Sequence, residues 1–498
     1  MKRLKIHCIL PSSPWLADSK TNIPLGVLYI ASVLREKGHD VFVTSRLGCR
    51  ANDPYEWSPE VKNADVHMFG FCSPQFNECI DMAADLRKNF PGSLIVAGGS
   101  HPSYEPEETV TAVDQGRYHP NVVLKKRRDY TKGVDDKPVF DSAIVMEGEV
   151  AVLRLLEDWQ NGKLQKTYYG DKMEIPNLDV VPFPAWDLLP HDHIYNDGVA
   201  VMKKNYFPAP DGSNGPCLSM IGTRGCPYKC IYCSTPWIGQ KPRYRSSHNI
   251  ITEMANAMDL GIKMFKFQDD TYTLHRTKLK ELSKDIESAF GRDTFAARIH
   301  TRVNTMDDDI AESLKRMSCK VTCFGIESGS QRVLDANWKG TTVKQNFDAL
   351  KKAKEHGFYT IAFLVAGLAG ENRETARETQ EWLMSVKPYL DSCNLAVGIP
   401  YPGSRFWSHP VESRIEILDY NYDHQWIVGF SARNEILVRP YDTTYDEMMA
   451  VKSEMFDFLK AEGWAKAEWD EDERIKRKGG QTADPVLEVE GSGMAPAM

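Results

Sequence analysis

The sequence predicts an α/β protein made of two successive parallel-sheet units. Three observations carry this. Short apolar runs of strand length alternate with longer segments of helical period, first over residues 4–160 and again over residues 217–410. Between the two series, residues 161–216 are rich in Pro, Gly, Tyr and Asp and show no clear period, which predicts a linker. No apolar run approaches the roughly 18 residues that a membrane span needs, so both units read as globular.

In the first unit, residues 4–10 form a short apolar strand that stops at Pro11. Pro24 stands where a helix can begin without using its missing N–H. Val27, Ile30, Ala31 and Leu34 follow at helical spacing until Gly38 ends the segment. Residues 40–44 and 65–71 read as strands and 75–90 as a helix. Residues 94–97 form a strand running into Gly98-Gly99, and 143–146 another before a helix from Glu149. This alternation gives a Rossmann-like parallel sheet with helices on both faces. In the second unit, strands are predicted at 218–223, 263–267, 295–300, 321–326, 359–366 and 392–397, with helices between. Six such units make a full or partial (βα)6 barrel of the TIM kind. Residues 419–438 are aromatic and irregular, and residues 445–462 helical. The domain plan is therefore 1–160, a linker 161–216, 217–410, a substrate-shaping region 411–469, and a disordered tail 470–498, where the chain turns charged and then Gly/Ala/Pro-rich.

With 42% hydrophobic and 26% charged residues over 498 positions, the composition excludes a fibrous or mostly disordered chain. Lys+Arg 61 against Asp+Glu 69 gives a net charge of −8, which argues against a general binder of nucleic acid or of a membrane surface. Lys125-Lys126-Arg127-Arg128 reads as a solvated loop in an insertion. The first apolar run is too short for a signal peptide. The 11 cysteines are an odd number, without a secretory signal, so the expected compartment is the cytoplasm and a disulfide framework is not expected.

Three cysteines are clustered. Gly225-Cys226-Pro227-Tyr228-Lys229-Cys230-Ile231-Tyr232-Cys233 contains CxxxCxxC, which chance would supply about 0.005 times in such a chain. A zinc site draws its ligands in pairs and takes four, so it would need Cys217 or a distant histidine to complete it. Three thiolates on one tight loop suit an iron–sulfur cubane with one iron left open. An open iron can bind a substrate or cofactor, so the site can react as well as carry electrons.

This motif, with an aromatic residue before its last cysteine, resembles that of the radical S-adenosylmethionine (SAM) enzymes, and the similarity runs from Cys217 to about Trp407. The resemblance implies a [4Fe-4S] cluster held by Cys226, Cys230 and Cys233. The open iron would take the amino and carboxylate groups of SAM, and one electron would split the C–S bond to give a 5′-deoxyadenosyl radical. Tyr232 would lie against the adenine. Arg243, Arg245, Ser246 and Glu253 match the Arg-rich turn into the first barrel helix. Phe267-Gln268-Asp269-Asp270-Thr271 matches the end of the second strand and makes Asp269 a SAM-binding candidate. Gly325-Ile326-Glu327-Ser328-Gly329-Ser330 matches the fourth, with Glu327 a candidate partner for SAM. Gly367-Leu368-Ala369-Gly370-Glu371 matches the fifth strand's loop, with Ala369 where Pro is usual, and Pro400-Tyr401-Pro402-Gly403-Ser404 follows the sixth. Active sites of parallel barrels are built at such strand ends.

The first unit resembles the cobalamin (B12)-binding-type domain that precedes many such barrels. The matching residues are Pro24-Leu25-Gly26-Val27-Leu28-Tyr29, Gly98-Gly99-Ser100-His101-Pro102 with Pro106-Glu107-Glu108, and Glu147-Gly148-Glu149. Gly98 and Gly99, after a strand, let backbone approach a flat or phosphorylated ligand and are cobalamin-binding candidates. Asp65-Val66-His67-Met68-Phe69-Gly70 spells DxHxxG, a pattern that places a histidine on cobalt. Chance supplies it about 0.07 times, and here it lies in the predicted third strand instead of the loop after the first. His67 therefore reads as a strand histidine. The expected cobalamin site is near Gly98-Gly99 and the loop after Leu10, with no histidine beneath the metal.

The two resemblances together imply a cobalamin-dependent radical SAM enzyme. Its expected chemistry is transfer of a methyl group from SAM, by way of cobalamin, to an unactivated carbon of a small molecule. An electron donor such as flavodoxin or ferredoxin would be its protein partner. Cyclisation, rearrangement or carbon–carbon coupling is the alternative. A tRNA methylthiotransferase is a second alternative, because Cys8, Cys49 and Cys79 have loosely similar separations to that family's second-cluster ligands. Against it, Cys8 falls within a predicted strand and Cys79 within a helix. Residues 419–438 and the C-terminal helix are expected to shape the substrate pocket.

Overall fold

The computed structural model describes residues 2–13, 23–49, 53–112, 138–171, 174–190, 193, 216–234, 241–420, 422 and 435–464. The basic run 125–128 and the tail 470–498 lie outside the described residues.

The first sheet contains β1 (Lys5–Leu10), β2 (Asp40–Ser45), β3 (Val66–Gly70), β4 (Leu94–Gly98), β5 (Ser142–Met146) and β6 (Thr167–Gly170), in the order β2-β1-β3-β4-β5-β6, all parallel. Successive side chains of a strand point to opposite faces, and the sequence uses that period. Ile6, Cys8, Leu10, Val66, Met68, Leu94 and Val96 pack on one face with the helices Leu25–Glu36 and Gly148–Gln160. Ile9, Phe69, Ile95 and Ala97 pack on the other with Phe76–Asn89. β6 lies in the stretch read from sequence as linker, so the linker reading is corrected there. Four residues, Thr-Tyr-Tyr-Gly, at a sheet edge carry too little apolar pattern to read as a strand. The strand order reverses between β1 and β3, which places the ligand crevice of such a sheet at their carboxyl ends.

The second sheet contains β7 (Cys217–Met220), β10 (Met264–Phe267), β11 (Ala296–Thr301), β12 (Cys319–Glu327), β13 (Tyr359–Ala366) and β14 (Ser392–Val397), paired in sequence order and parallel throughout. Two short pairs accompany it, β8 (Thr223–Arg224) with β9 (Arg243–Tyr244), and β15 (Ile415–Ile417) with β16 (Val438–Pro440). β7 and β14 are the edges, so this is a six-stranded partial barrel. Its outer face is clad by helices over one large apolar cluster that includes Phe265, Phe267, Ala297, Ile299, Phe324 and Leu364. The C-terminal helix, Tyr445–Ala461, joins that outer cluster through Met448, Val451, Met455 and Leu459, beside Leu383 and Val386 of Arg373–Val386. The apolar face of this helix, expected to help shape the pocket, packs on the outside of the barrel. No helix among the described residues is long and apolar enough to cross a membrane.

His67 lies inside β3 and pairs in register with His7 of β1. Their Nδ1 atoms are 3.0 Å apart, and His7 Nε2 lies 2.8 Å from Thr44 Oγ1. A contact between two ring nitrogens needs one donor and one acceptor, so at least one ring is neutral. Burial, with Arg87 second, pushes His67 down to about 4, and burial and His67 hold His7 well below the usual range. The ring is thus engaged in the sheet, away from the crevice. A histidine depressed in the folded state and ordinary (about 6.5) when unfolded costs stability as pH falls through that window. We expect stability to drop between pH 6.5 and 4 at about 1.4 kcal/mol per pH unit for His67. Urea unfolding of wild type and His67→Leu at several pH values checks this, and the variant should show the shallower acid slope.

Candidate functional site

The cysteine loop is spanned by β8 and β9, whose register sets Arg224 opposite Arg243. Two guanidinium groups side by side repel unless carboxylates lie between them. Glu147 and Glu149, at the carboxyl end of β5, supply these. Arg224 Nη2 is 2.6 Å from Glu149 Oε1, and Arg243 Nη1 donates to Glu147 Oε2 at 3.1 Å and to the Ile175 carbonyl at 2.7 Å. All four side chains are nearly buried. The turn that delivers the glutamates begins with Met146 at φ +69°, in the left-handed region.

Within the loop, Cys230 is buried and Cys226 and Cys233 are half-buried. Cys233 N–H donates to the Cys230 carbonyl at 3.1 Å. Ile231 N–H donates to Asn337 O at 3.2 Å, and Phe406 N–H to Ile231 O at 3.1 Å, anchoring the loop to segments after β12 and β14. Ile231 also packs with Val333, Leu368 and Phe406. Arg302, just past β11, sets one guanidinium nitrogen 3.6 Å from Cys230 Sγ and stacks its guanidinium 3.6 Å from the Tyr228 ring. It also donates to the Lys339 carbonyl. Among the described residues no three His, Cys, Asp or Glu side chains converge as a single ion would require. The donor set instead fits a polynuclear cluster, which takes one thiolate per iron.

The other expected residues divide. Tyr232 packs at the loop, edge-on to Phe406 at 6.4 Å, and burial, with Glu327 next, raises its hydroxyl well above the usual range. Glu327 ends β12 at φ +66° and is ion-paired with Lys339, whose Nζ lies 2.7 Å from Oε1, both side chains nearly buried. A Cβ on Gly325 would stand 2.6 Å from Glu327 Oε1 and 2.9 Å from Lys339 Nζ, so glycine is what leaves room for the pair. The SAM-partner candidate Glu327 thus stands at the strand end already paired with a lysine. Asp269, just past β10, is buried. It accepts from Gly222 N–H at 3.1 Å, tying β10 to the turn before the cysteine loop, and burial pushes its carboxyl up to about 6. Its role in the fold is to hold that turn.

Gly98 and Gly99 lie at the carboxyl edge of the first sheet and differ. Gly99 has φ +105°, and a Cβ on it would stand 2.4 Å from the Phe71 carbonyl oxygen, so packing within the domain requires glycine there. At Gly98 a Cβ would meet only ordinary contacts, the nearest at 3.6 Å. The segment after them reaches the second domain. Tyr104 hydroxyl donates to Ser234 O at the end of the cysteine loop. Trp407 Nε1 donates to Glu105 Oε1 at 2.8 Å, and Tyr422 hydroxyl to Glu108 Oε2 at 2.8 Å. Tyr401 is buried, which raises its hydroxyl, and it feels Cys72 of the first domain and Cys233 of the loop together. The crevice edge of one sheet thus faces the cysteine loop of the other. Cys8 and Cys79, in contrast, pack in clusters on opposite faces of the first sheet, so no second cysteine cluster forms from them.

Sequence reading missed Arg302 and Lys339. Arg302 carried a usable signal, since it follows a predicted barrel strand, where active-site residues gather. Lys339 carried none, for its place depends on a turn 12 residues beyond Glu327.

Residues 220–383 match the radical SAM superfamily and residues 20–118 match the B12 binding domain. An uncharacterized methyltransferase of Pyrococcus horikoshii is 28% identical over 438 residues, covering 83% of this chain and 85% of the relative. The hopanoid C-3 methylase of Methylococcus capsulatus is 22% identical over 476 residues, covering 93% of this chain and 82% of the relative. Among solved structures, the radical S-adenosylmethionine methyltransferase TsrM of Kitasatospora setae, with cobalamin and a [4Fe-4S] cluster bound, matches with a TM-score of 0.62 at 13% identity, over 94% of this chain and 90% of that one. That likeness is one of fold. The chain thus carries a radical SAM domain with a B12-binding domain ahead of it. Its methyltransferase relatives indicate an enzyme.

The buried Glu327–Lys339 pair makes a test of this geometry. Removing one partner leaves a buried charge uncompensated, so Glu327→Gln and Lys339→Met should each lose about 3–5 kcal/mol of stability. The double variant should be more stable than the sum of the singles predicts by at least about 1 kcal/mol, measured by chemical denaturation.

Proposed function

We propose that the protein is a cobalamin-dependent radical SAM methyltransferase that acts on a carbon of a small molecule. The observation that carries this reading is the facing of two sites: a three-cysteine loop at the mouth of a partial barrel, and the carboxyl-edge crevice of a B12-type sheet, joined through Tyr104, Trp407 and Tyr422.

Cys226, Cys230 and Cys233 would hold a [4Fe-4S] cluster with one iron open to SAM. When bound, the cluster supplies the electron that cleaves SAM, and cobalamin supplies the methyl carrier. The chain's own groups do the rest. Arg302 donates toward Cys230 Sγ and pins the loop through Tyr228. Tyr232, edge-on to Phe406, offers an aromatic face for the adenine. Glu327 and Lys339 form a paired charge at the mouth, where an amino group and a carboxylate of SAM can each find a partner. Gly98, which no packing contact requires, is the smooth backbone approach for cobalamin. A small electron-transfer protein such as flavodoxin or ferredoxin would reduce the cluster.

Replacing all three cysteines with Ala should remove the cluster, taking iron from about four per chain to near zero, and abolish SAM cleavage. Iron content and product chromatography after anaerobic reconstitution read both, and iron near four in the triple variant would contradict the assignment. The chain should also bind cobalamin with no nitrogen of its own on the metal. The cobalt(II) paramagnetic resonance spectrum should be the same in wild type and His67→Ala, and nitrogen splitting lost in the variant would refute it.

A further inference from the structure

The concave face of the barrel carries chemistry that neither the cysteine loop nor the crevice uses. Phe265, Phe267, Ala297 and Ile299 all pack outward against the helices. By the alternation of a strand, Lys266, Arg298 and His300 point the other way, onto the concave face. Lys266 and Arg298 are register partners on adjacent strands, and His300 stands two residues further along β11. On the same face, Met264, Ala296, Val321, Cys323 and Ile361 form an apolar floor.

We propose that Arg298, with Lys266 and His300, forms a binding site for an oxyanion of the substrate, a carboxylate or a phosphoryl group. This rests on reading the barrel mouth as the reacting centre. Arg298 is 7% exposed, its Nε has no hydrogen-bond partner, and no carboxylate among the described residues pairs with its guanidinium. A buried cation with no counter-charge is costly, and a bound anion offsets that cost. His300 Nε2 is likewise a buried nitrogen with no partner. Burial, with Arg298 and Lys266 next, pushes His300 down to about 3, so its ring is neutral and can donate one N–H. Burial and Arg298 bring Lys266 down to about 8. Lys266 and Arg298 therefore stand side by side on the concave face. Arg302, whose guanidinium touches the cysteine loop, is four residues beyond Arg298, so the two backbones stand about 13 Å apart along the chain. The geometry thus orients a substrate with its anionic group on the floor and its reacting carbon toward the mouth.

Thermal unfolding of the anaerobically reconstituted full chain, with SAM in excess, tests this. Inorganic phosphate and acetate are titrated separately at ionic strength held constant with chloride. At least one anion should raise the melting temperature of wild type by a few degrees above chloride. Phosphate alone acting identifies a phosphoryl group, and acetate alone a carboxylate. Arg298→Met should weaken that binding at least tenfold, and Arg298→Lys should restore part of it. Without anion, Arg298→Met should melt no lower than wild type, because an unpaired buried charge has been removed. Lys266→Met should also weaken binding, which keeps the test decisive if Arg298→Met does not fold. No anion effect beyond chloride, or the same effect in Arg298→Met and Lys266→Met, overturns the proposal. Iron and cobalt contents of the same samples test the function reading independently. An Arg298-dependent anion shift without cobalt uptake contradicts that reading alone, and cobalt and iron uptake without the shift contradicts this proposal alone.

Discussion

The contact on which the rest of the structure depends is the buried ion-pair group of Glu147 and Glu149 with Arg224 and Arg243. The two arginines flank the cysteine loop and would repel one another across β8 and β9. The two glutamates leave the carboxyl end of the first sheet and would be stranded charges without them. Each domain therefore supplies the counter-charge that the other cannot bury alone. Truncating any member would leave an unpaired charge in a nearly dry site, the expensive way to lose a salt bridge. The group fixes where the first sheet's edge stands relative to the loop, and Tyr104, Trp407 and Tyr422 extend that contact along the seam.

Both sheets spend backbone strain at the same kind of place. Met146 ends β5 and Glu327 ends β12, and each is a non-glycine residue in the left-handed region, worth of the order of 1–3 kcal/mol of strain. In each case the turn delivers a carboxylate into a buried ion pair: Glu147 to Arg243, and Glu327 to Lys339. Strain at carboxyl strand ends is consistent with sites assembled there. Below the mouth, the concave face combines an apolar floor with Arg298, Lys266 and His300.

Much of the fold was legible because it is written in short-range pattern. The twofold alternation of Ile6, Cys8 and Leu10 against His7 and Ile9 declares a strand buried on both faces, and the strand–helix rhythm declares parallel sheets. The cysteine loop was legible because its spacing is local. What was not legible depends on long-range pairing. β6 is too short and too polar to stand out until β5 pairs with it. Glu327 and Asp269 were visible as strand-end carboxylates, but their partners, Lys339 and the Gly222 turn, are set by loops that no local pattern encodes. Gly99 read as a ligand approach, and the close contact with Phe71 that also requires glycine there is long-range. The C-terminal helix showed an amphipathic face, and amphipathicity alone does not say which surface it covers.

The central claim is that the first domain's crevice and the cysteine loop face each other across the seam, so that cobalamin and cluster act on one substrate. The measurement that tests it most directly is paramagnetic resonance of cobalt(II) cobalamin in the reconstituted chain, with the cluster oxidised and then reduced. The account predicts that reducing the cluster broadens the cobalt signal or speeds its relaxation, because two unpaired spins then lie close together. A cobalt signal indifferent to the state of the cluster, in protein that holds both, would contradict it.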